Sequence, residues 1–137
     1  MTEVKIIEIF KESHLPKEGW LQSCFNCYSI TSKTFYYKMI MVDGANLASI
    51  FDNSSVSDIS ASGRPADPKF VEIFRSHAFY AGMSATPQEL IFSVPFDEDD
   101  FTGGSGAGSI KVDGVIVGIK VFRENLFVFC EDSIFKI

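Results

Sequence analysis

Residues 109–137, SIKVDGVIVGIKVFRENLFVFCEDSIFKI, decide the reading of this chain. Four short apolar runs stand out: SIKV (109–112), VIVGIKVF (115–122), LFVFC (126–130) and SIFKI (133–137). Between the first two lies Asp113-Gly114, which tolerates the positive φ angles that a two-residue hairpin requires. Arg123-Glu124-Asn125 and Glu131-Asp132 supply the next two turns. The pattern predicts a four-stranded antiparallel meander, the size of one propeller blade or one corner of a sandwich.

Working back from this stretch, the chain resembles itself. Phe74-Arg75-Ser76-His77-Ala78-Phe79-Tyr80-Ala81 aligns with Phe122-Arg123-Glu124-Asn125-Leu126-Phe127-Val128-Phe129 at an offset of 48 (122 minus 74). Leu90-Ile91-Phe92-Ser93-Val94 then takes the part of Ser133-Ile134-Phe135-Lys136-Ile137. Short strands repeating every ~40–50 residues are characteristic of propeller blades. Residues 69–137 are therefore expected to hold two blade-like meanders. One blade cannot bury both faces of its sheet, and the chain has room for fewer than three units at this spacing. The expectation is that it completes its sheets against copies of itself or another protein, or is a fragment of a larger propeller; the apolar run that reaches Ile137 points the same way.

Residues 1–68 are read as an N-terminal strand, a hairpin and a long polar loop, serving as an anchor or extension. The strand is VKIIEIF (4–10), followed by a polar connection to Trp20, a core anchor. TFYYKMIMV (34–42) is a second strand, which Asp43-Gly44 turns into NLASIF (46–51). Residues 52–68, DNSSVSDISASGRPADP, form a long surface loop of the kind that is often functional or interface-forming. KFVEIF (69–74) and HAFYAG (77–82) pair across Arg75-Ser76, ELIFSV (89–94) follows, and GGSGAG (103–108) is a flexible link. The chain is 46% hydrophobic, with 14 Phe and 4 Tyr among 137 residues. That enrichment favours strands, so the fold is expected to be all-β: short antiparallel meanders of an incomplete propeller, with a β-sandwich as the alternative.

Charge and length exclude several classes. The net charge is −6 and the basic residues are scattered singly, so the field opposes a phosphate backbone and no nucleic-acid contact is expected. No apolar run approaches the ~20 residues of a membrane span, and no leader pattern opens the chain. A soluble, non-exported protein is expected. The 3 cysteines suit a reducing compartment better than a disulfide framework.

No cluster of residues names a chemistry. His14 lies in a polar linker and His77 at a turn. Cys24 and Cys27 form a CxxC without a second one, and Cys130 sits in an apolar run, so buried, inert thiols are expected rather than zinc or redox chemistry. Asp97, Glu98, Asp99 and Asp100 are the candidate metal ligands, by their oxygens, but lack the alternate spacing of an EF-hand; a solvated turn is the plainer reading. Gly104-Ser105-Gly106-Ala107-Gly108 has the letters of a phosphate loop or nucleophile elbow, yet runs into a strand rather than a helix. No catalytic residue, cofactor or enzymatic activity is expected.

A family resemblance covers about half the chain. It is carried by Ser76-His77-Ala78-Phe79-Tyr80-Ala81-Gly82, by Pro87-Gln88-Glu89-Leu90-Ile91-Phe92-Ser93, and by the acidic linker from Phe96 to Phe101. Gly106-Ala107-Gly108-Ser109-Ile110-Lys111-Val112, the run from Val121 to Phe129, and Asp132-Ser133-Ile134 complete it. In these residues the segment resembles the β-propeller-like structural proteins of tailed-bacteriophage virions, those of the tail nozzle (tail tubular) and related head or tail components. The resemblance implies a non-enzymatic virion subunit, assembled in the host cytoplasm, with other virion proteins and copies of itself as partners. Its motifs are structural and bring no site residues. The alternative is a module that binds a host-surface glycan or protein through residues 52–68, the acidic turn and the aromatics Phe96 and Phe101.

Overall fold

β-Branched and aromatic residues dominate the apolar runs, and all regular elements but one are strands in the computed structural model, which describes residues 31–35 and 38–137. The strands are β1 (Thr31–Phe35), β2 (Lys38–Val42), β3 (Ser49–Phe51), β4 (Val56–Asp58), β5 (Phe70–Phe74), β6 (His77–Ala81), β7 (Glu89–Phe92), β8 (Gly108–Lys111), β9 (Ile116–Phe122), β10 (Asn125–Cys130) and β11 (Ile134–Lys136). The exception is a 3-10 turn at Gly103–Ser105. They form three antiparallel sheets, each in chain order: β1-β2-β3-β4, β5-β6-β7-β8 and β9-β10-β11. The all-β expectation of short meanders holds. The strand expected at residues 4–10 and the anchor Trp20 lie outside the described residues.

The second sheet lies between the other two because both of its faces are apolar. On one face Val71, Ala78 and Tyr80 pack with Phe35, Ile40, Val42, Ile50 and Ile59. On the other, Phe74, Phe79, Ala81 and Leu90 pack with Ile116, Ile119, Leu126 and Val128. A strand covered on both sides reads as a nearly continuous apolar run instead of an alternation, as FVEIF and HAFYA do. The first strands of the sheets, β1, β5 and β9, are neighbours in that order.

The internal repeat corresponds to a shared hairpin. Phe74 pairs with His77 and Phe122 with Asn125, each across a two-residue turn, and in the first sheet Phe35 pairs with Lys38. Arg75 (φ 47°), Ser76 (φ 66°) and Arg123 (φ 56°) take the left-handed backbone. Such turns match the twist of the strands they join, at a cost of ~1 kcal/mol or more for each non-glycine residue. Each arginine then lies over the phenylalanine before it, 5.1 Å from the Phe74 ring and 5.3 Å from the Phe122 ring, a cation–π contact that offsets part of that cost.

Five expectations need correction. Residues 109–137 do not make one sheet: β8 pairs with β7, Leu90 opposite Ile110, and only β9 to β11 form the third sheet. Asp113-Gly114 is thus a corner between sheets; Val112 N–H donates to Gln88 O and Ile116 N–H to Pro87 O, which holds the chain against the second sheet instead of folding it back on β8. Residues 34–42 are not one strand, because Phe35 already pairs with Lys38. The Asp43-Gly44 turn is wider than two residues: Met41 pairs with Ser49, and the Asp43 carboxylate accepts the Ala45 and Asn46 N–H groups at 2.9 and 2.8 Å. Within residues 52–68, β4 pairs with β3, and Ile59 and Pro65 are buried, so this stretch is partly sheet and partly core. The link 103–108 is also more ordered than expected, since Gly108 opens β8 and a Cβ there would meet the Phe92 ring at 3.0 Å.

Leu126 is fully buried between the second and third sheets. Leu126→Ala is expected to destabilise the fold by about 2–5 kcal/mol in urea unfolding, through lost burial and the cavity it leaves.

Candidate functional site

The acidic turn follows β7 and is closed by its own backbone. Val94 N–H donates to Asp100 O at 2.8 Å, and Phe96, at φ 68°, donates its N–H to Ser76 O at 2.8 Å. Within this frame the four carboxylates diverge. Asp97 accepts the Asp99 N–H at 3.1 Å. Glu98 is buried and accepts Lys38 Nζ at 2.7 Å, while its carbonyl accepts the Tyr80 hydroxyl at 3.2 Å. Asp99 accepts the Ser60 and Ala61 N–H groups at 2.7 and 2.9 Å and the Ser60 hydroxyl at 3.1 Å. Asp100 accepts the Thr102 N–H at 2.8 Å.

A hard cation needs several oxygens converging on one point. These four instead point to four different protein partners, and among the described residues no three His, Cys, Asp or Glu side chains come together. The turn acts as a bracket: Glu98 holds β2 of the first sheet, and Asp99 holds residues 60 and 61. The protonation equilibria follow from the same bonds. The hydrogen bond to Glu98 raises the Lys38 pKa above its ordinary value, burial pushes the Tyr80 phenol well up, and Thr102 lowers Asp100. Outside the turn, Ser54 and Ser55 donate to Asp52 and hold its pKa at about 2.

The other candidates are structural where they are described. His77 Nδ1 lies 2.6 Å from Ser93 O, with its ring edge-on to Phe92. Ser93 is buried; its hydroxyl accepts the Ala78 N–H and donates to Val94 O. Cys130 is buried on β10 as a core residue. His14, Cys24 and Cys27 lie outside the described residues.

Two surfaces of the described residues bear on function. The first is a groove of about 260 Å³ lined by Gly63, Glu89, Ile91, Phe101, Gly108 and Ser109. It brings residues 52–68 against Phe101, as the glycan-binding alternative requires, but Phe101 also packs on Tyr80 with ring centres 5.9 Å apart. Phe96 does not line it. The second surface is the outer face of the third sheet. Strand register places Phe122 with Asn125, Phe129 with Ile134, and Phe127 with both Lys120 and Lys136. Phe122 is 60% exposed, Ile134 64% and Phe129 37%. From the sequence the last sheet is expected to need a cover, but these residues are not singled out, although a signal was present: β10, NLFVFC, is apolar at successive positions, as in a strand meant to be covered on both sides.

Asp99→Ala is expected to free residues 60 and 61, raising the hydrogen-exchange rates of those two amides by about tenfold or more while β5 and β6 stay protected. Asp52 has a depressed folded pKa, so its contribution is present above the ordinary value of 3.8 and is lost as pH falls towards about 2. Stability measured by denaturant titration is expected to fall across that window, and Asp52→Asn is expected to flatten the fall.

Compared with known proteins, the chain matches no protein-family model, no curated protein and no solved structure.

Proposed function

We propose that this chain is a non-enzymatic structural subunit that assembles through the faces of its sheets and, following the resemblance carried by residues 71–137, that the assembly is the tail or head–tail region of a tailed-phage virion. The observation that carries the assembly reading is the exposed outer face of the third sheet. Three meanders follow one another in chain order, the middle one is covered on both sides, and the third presents Phe122, Phe129 and Ile134 to solvent. Large apolar side chains exposed together on one sheet face mark an interaction site. The described acidic and histidine candidates spend their polar atoms on holding loops and hairpins in place, which fits a structural role. No helix among the described residues is long and apolar enough to cross a membrane. Its partners on this reading are other virion proteins and copies of the chain.

A host-surface binding module is the weaker reading. The groove beside Gly63 supports it, but of its two proposed aromatic platforms only Phe101 is there. The assembly reading is tested by sedimentation velocity at high micromolar concentration. With salt high enough to screen the exposed Lys120 and Lys136, wild type is expected to associate through this face, and Phe122→Ser/Phe129→Ser to be monomeric with an unchanged circular-dichroism spectrum. A wild-type chain that stays monomeric and unfolds cooperatively would count against it.

A further inference from the structure

A charge recurs at one place in the three first strands. Two residues before the phenylalanine that ends each of these strands stand Lys33 in β1, Glu72 in β5 and Lys120 in β9. Lys33 Nζ lies 3.0 Å from Glu72 Oε2, and Glu72 is buried, so this pair ties the first sheet to the second. Lys38 and Glu98, at 2.7 Å, tie the first sheet to the turn that follows the second in the same manner. In both, the lysine comes from the earlier sheet and a buried glutamate comes from further along the chain. Lys120 is exposed and has no carboxylate within ion-pair distance among the described residues.

The surroundings of Lys120 show what is missing. Lys120, Phe127 and Lys136 are register partners across the third sheet, and Phe122, Phe129 and Ile134 share their face. Among the described strand residues no aspartate or glutamate falls on that face, although acidic residues outnumber basic ones 18 to 12 in the chain. By the repeat, Phe122 and Phe127 correspond to Phe74 and Phe79, which the third sheet covers. We infer that the outer face of the third sheet seats a further antiparallel sheet, supplied by a different polypeptide, whose covering face is apolar and presents carboxylates to Lys120 and Lys136. The described sheets of a second copy do not meet this description. Its own third sheet would set lysine against lysine, its second sheet is covered on both sides, and Met41 and Phe51 on its first are already buried. The inference rests on the assembly reading and adds the chemistry of the partner to it.

The probes are two disulfide-closed hairpin peptides with the same Val/Phe face, one carrying two Glu on that face and the other two Lys, each titrated with the full chain by fluorescence anisotropy. Wild type is expected to bind the Glu hairpin at least tenfold more tightly than the Lys hairpin, with the difference shrinking as salt rises. Lys120→Glu/Lys136→Glu is expected to reverse the preference and Lys120→Gln/Lys136→Gln to abolish it; both lysines are exposed, and thermal unfolding confirms that the variants are folded. Equal binding of the two hairpins, or a preference that survives charge reversal, overturns the inference. If wild type self-associates in sedimentation but does not discriminate between the hairpins, the partner chemistry falls and the assembly reading stands. If it neither associates nor binds either hairpin, both fall.

Discussion

The two apolar faces of the second sheet are the constraint on which the rest depends. Val71 and Tyr80 on one side, with Phe79 and Leu90 on the other, are almost wholly removed from water, and no single neighbouring layer could cover both sets. Burial at about 25 cal/mol per Å² of apolar surface makes leaving either face open expensive. One face is met by the first sheet and the other by the third, so the order of the layers follows the order of the chain. Lys33 and Glu72 then fix how the first two meet, since a buried carboxylate is tolerable only where a cation reaches it.

Connections between the layers are held by short polar devices rather than by apolar contact. The acidic turn is the clearest case: its backbone closes on Val94, Glu98 reaches Lys38 in the first sheet, and Asp99 captures residues 60 and 61. A run of four acidic residues would repel itself if all four side chains faced one way. Spread over four partners, two of them in distant parts of the sequence, the same charges become local fasteners, and Asp52 does similar work for the turn into β4.

Much of this architecture was legible in the residues, though not how the strands were shared among sheets. Arg75-Ser76 and Arg123-Glu124-Asn125 stood out as turns, each following an apolar run that ends in phenylalanine; both are two-residue hairpins, with Asn125 already the first residue of β10. Asp113-Gly114 carries equally good hairpin chemistry and is a corner instead. The positive φ of Gly114 serves either outcome, and the choice is made by Pro87 and Gln88, whose carbonyls lie more than 20 residues upstream. Residues 34–42 failed for the opposite reason: the run has no turn residue by composition, yet Phe35 pairs with Lys38. The acidic run was visible as a turn, but its partners, Lys38 and Ser60, are remote in sequence and only the fold brings them close. The exposed face of the third sheet was half visible, since the apolar character of β10 was plain while its lack of a cover was not.

Lys120 and Lys136 on that open face have a second role that does not compete with the first. An exposed sheet carrying Phe122, Phe129 and Ile134 is a hazard, because identical faces meet readily and stacked apolar sheets are hard to separate. Lysines on its two outer strands, flanking Phe127, oppose such pairing, since each new copy brings the same charges to the same positions. The charges that discourage a like surface also favour an acidic one, and specificity arises from that difference rather than from the strength of either contact alone. An aromatic face with lysines and no carboxylates of its own is therefore suited to wait for an unlike partner: apolar enough to be held once covered, and charged enough to resist its own kind until then.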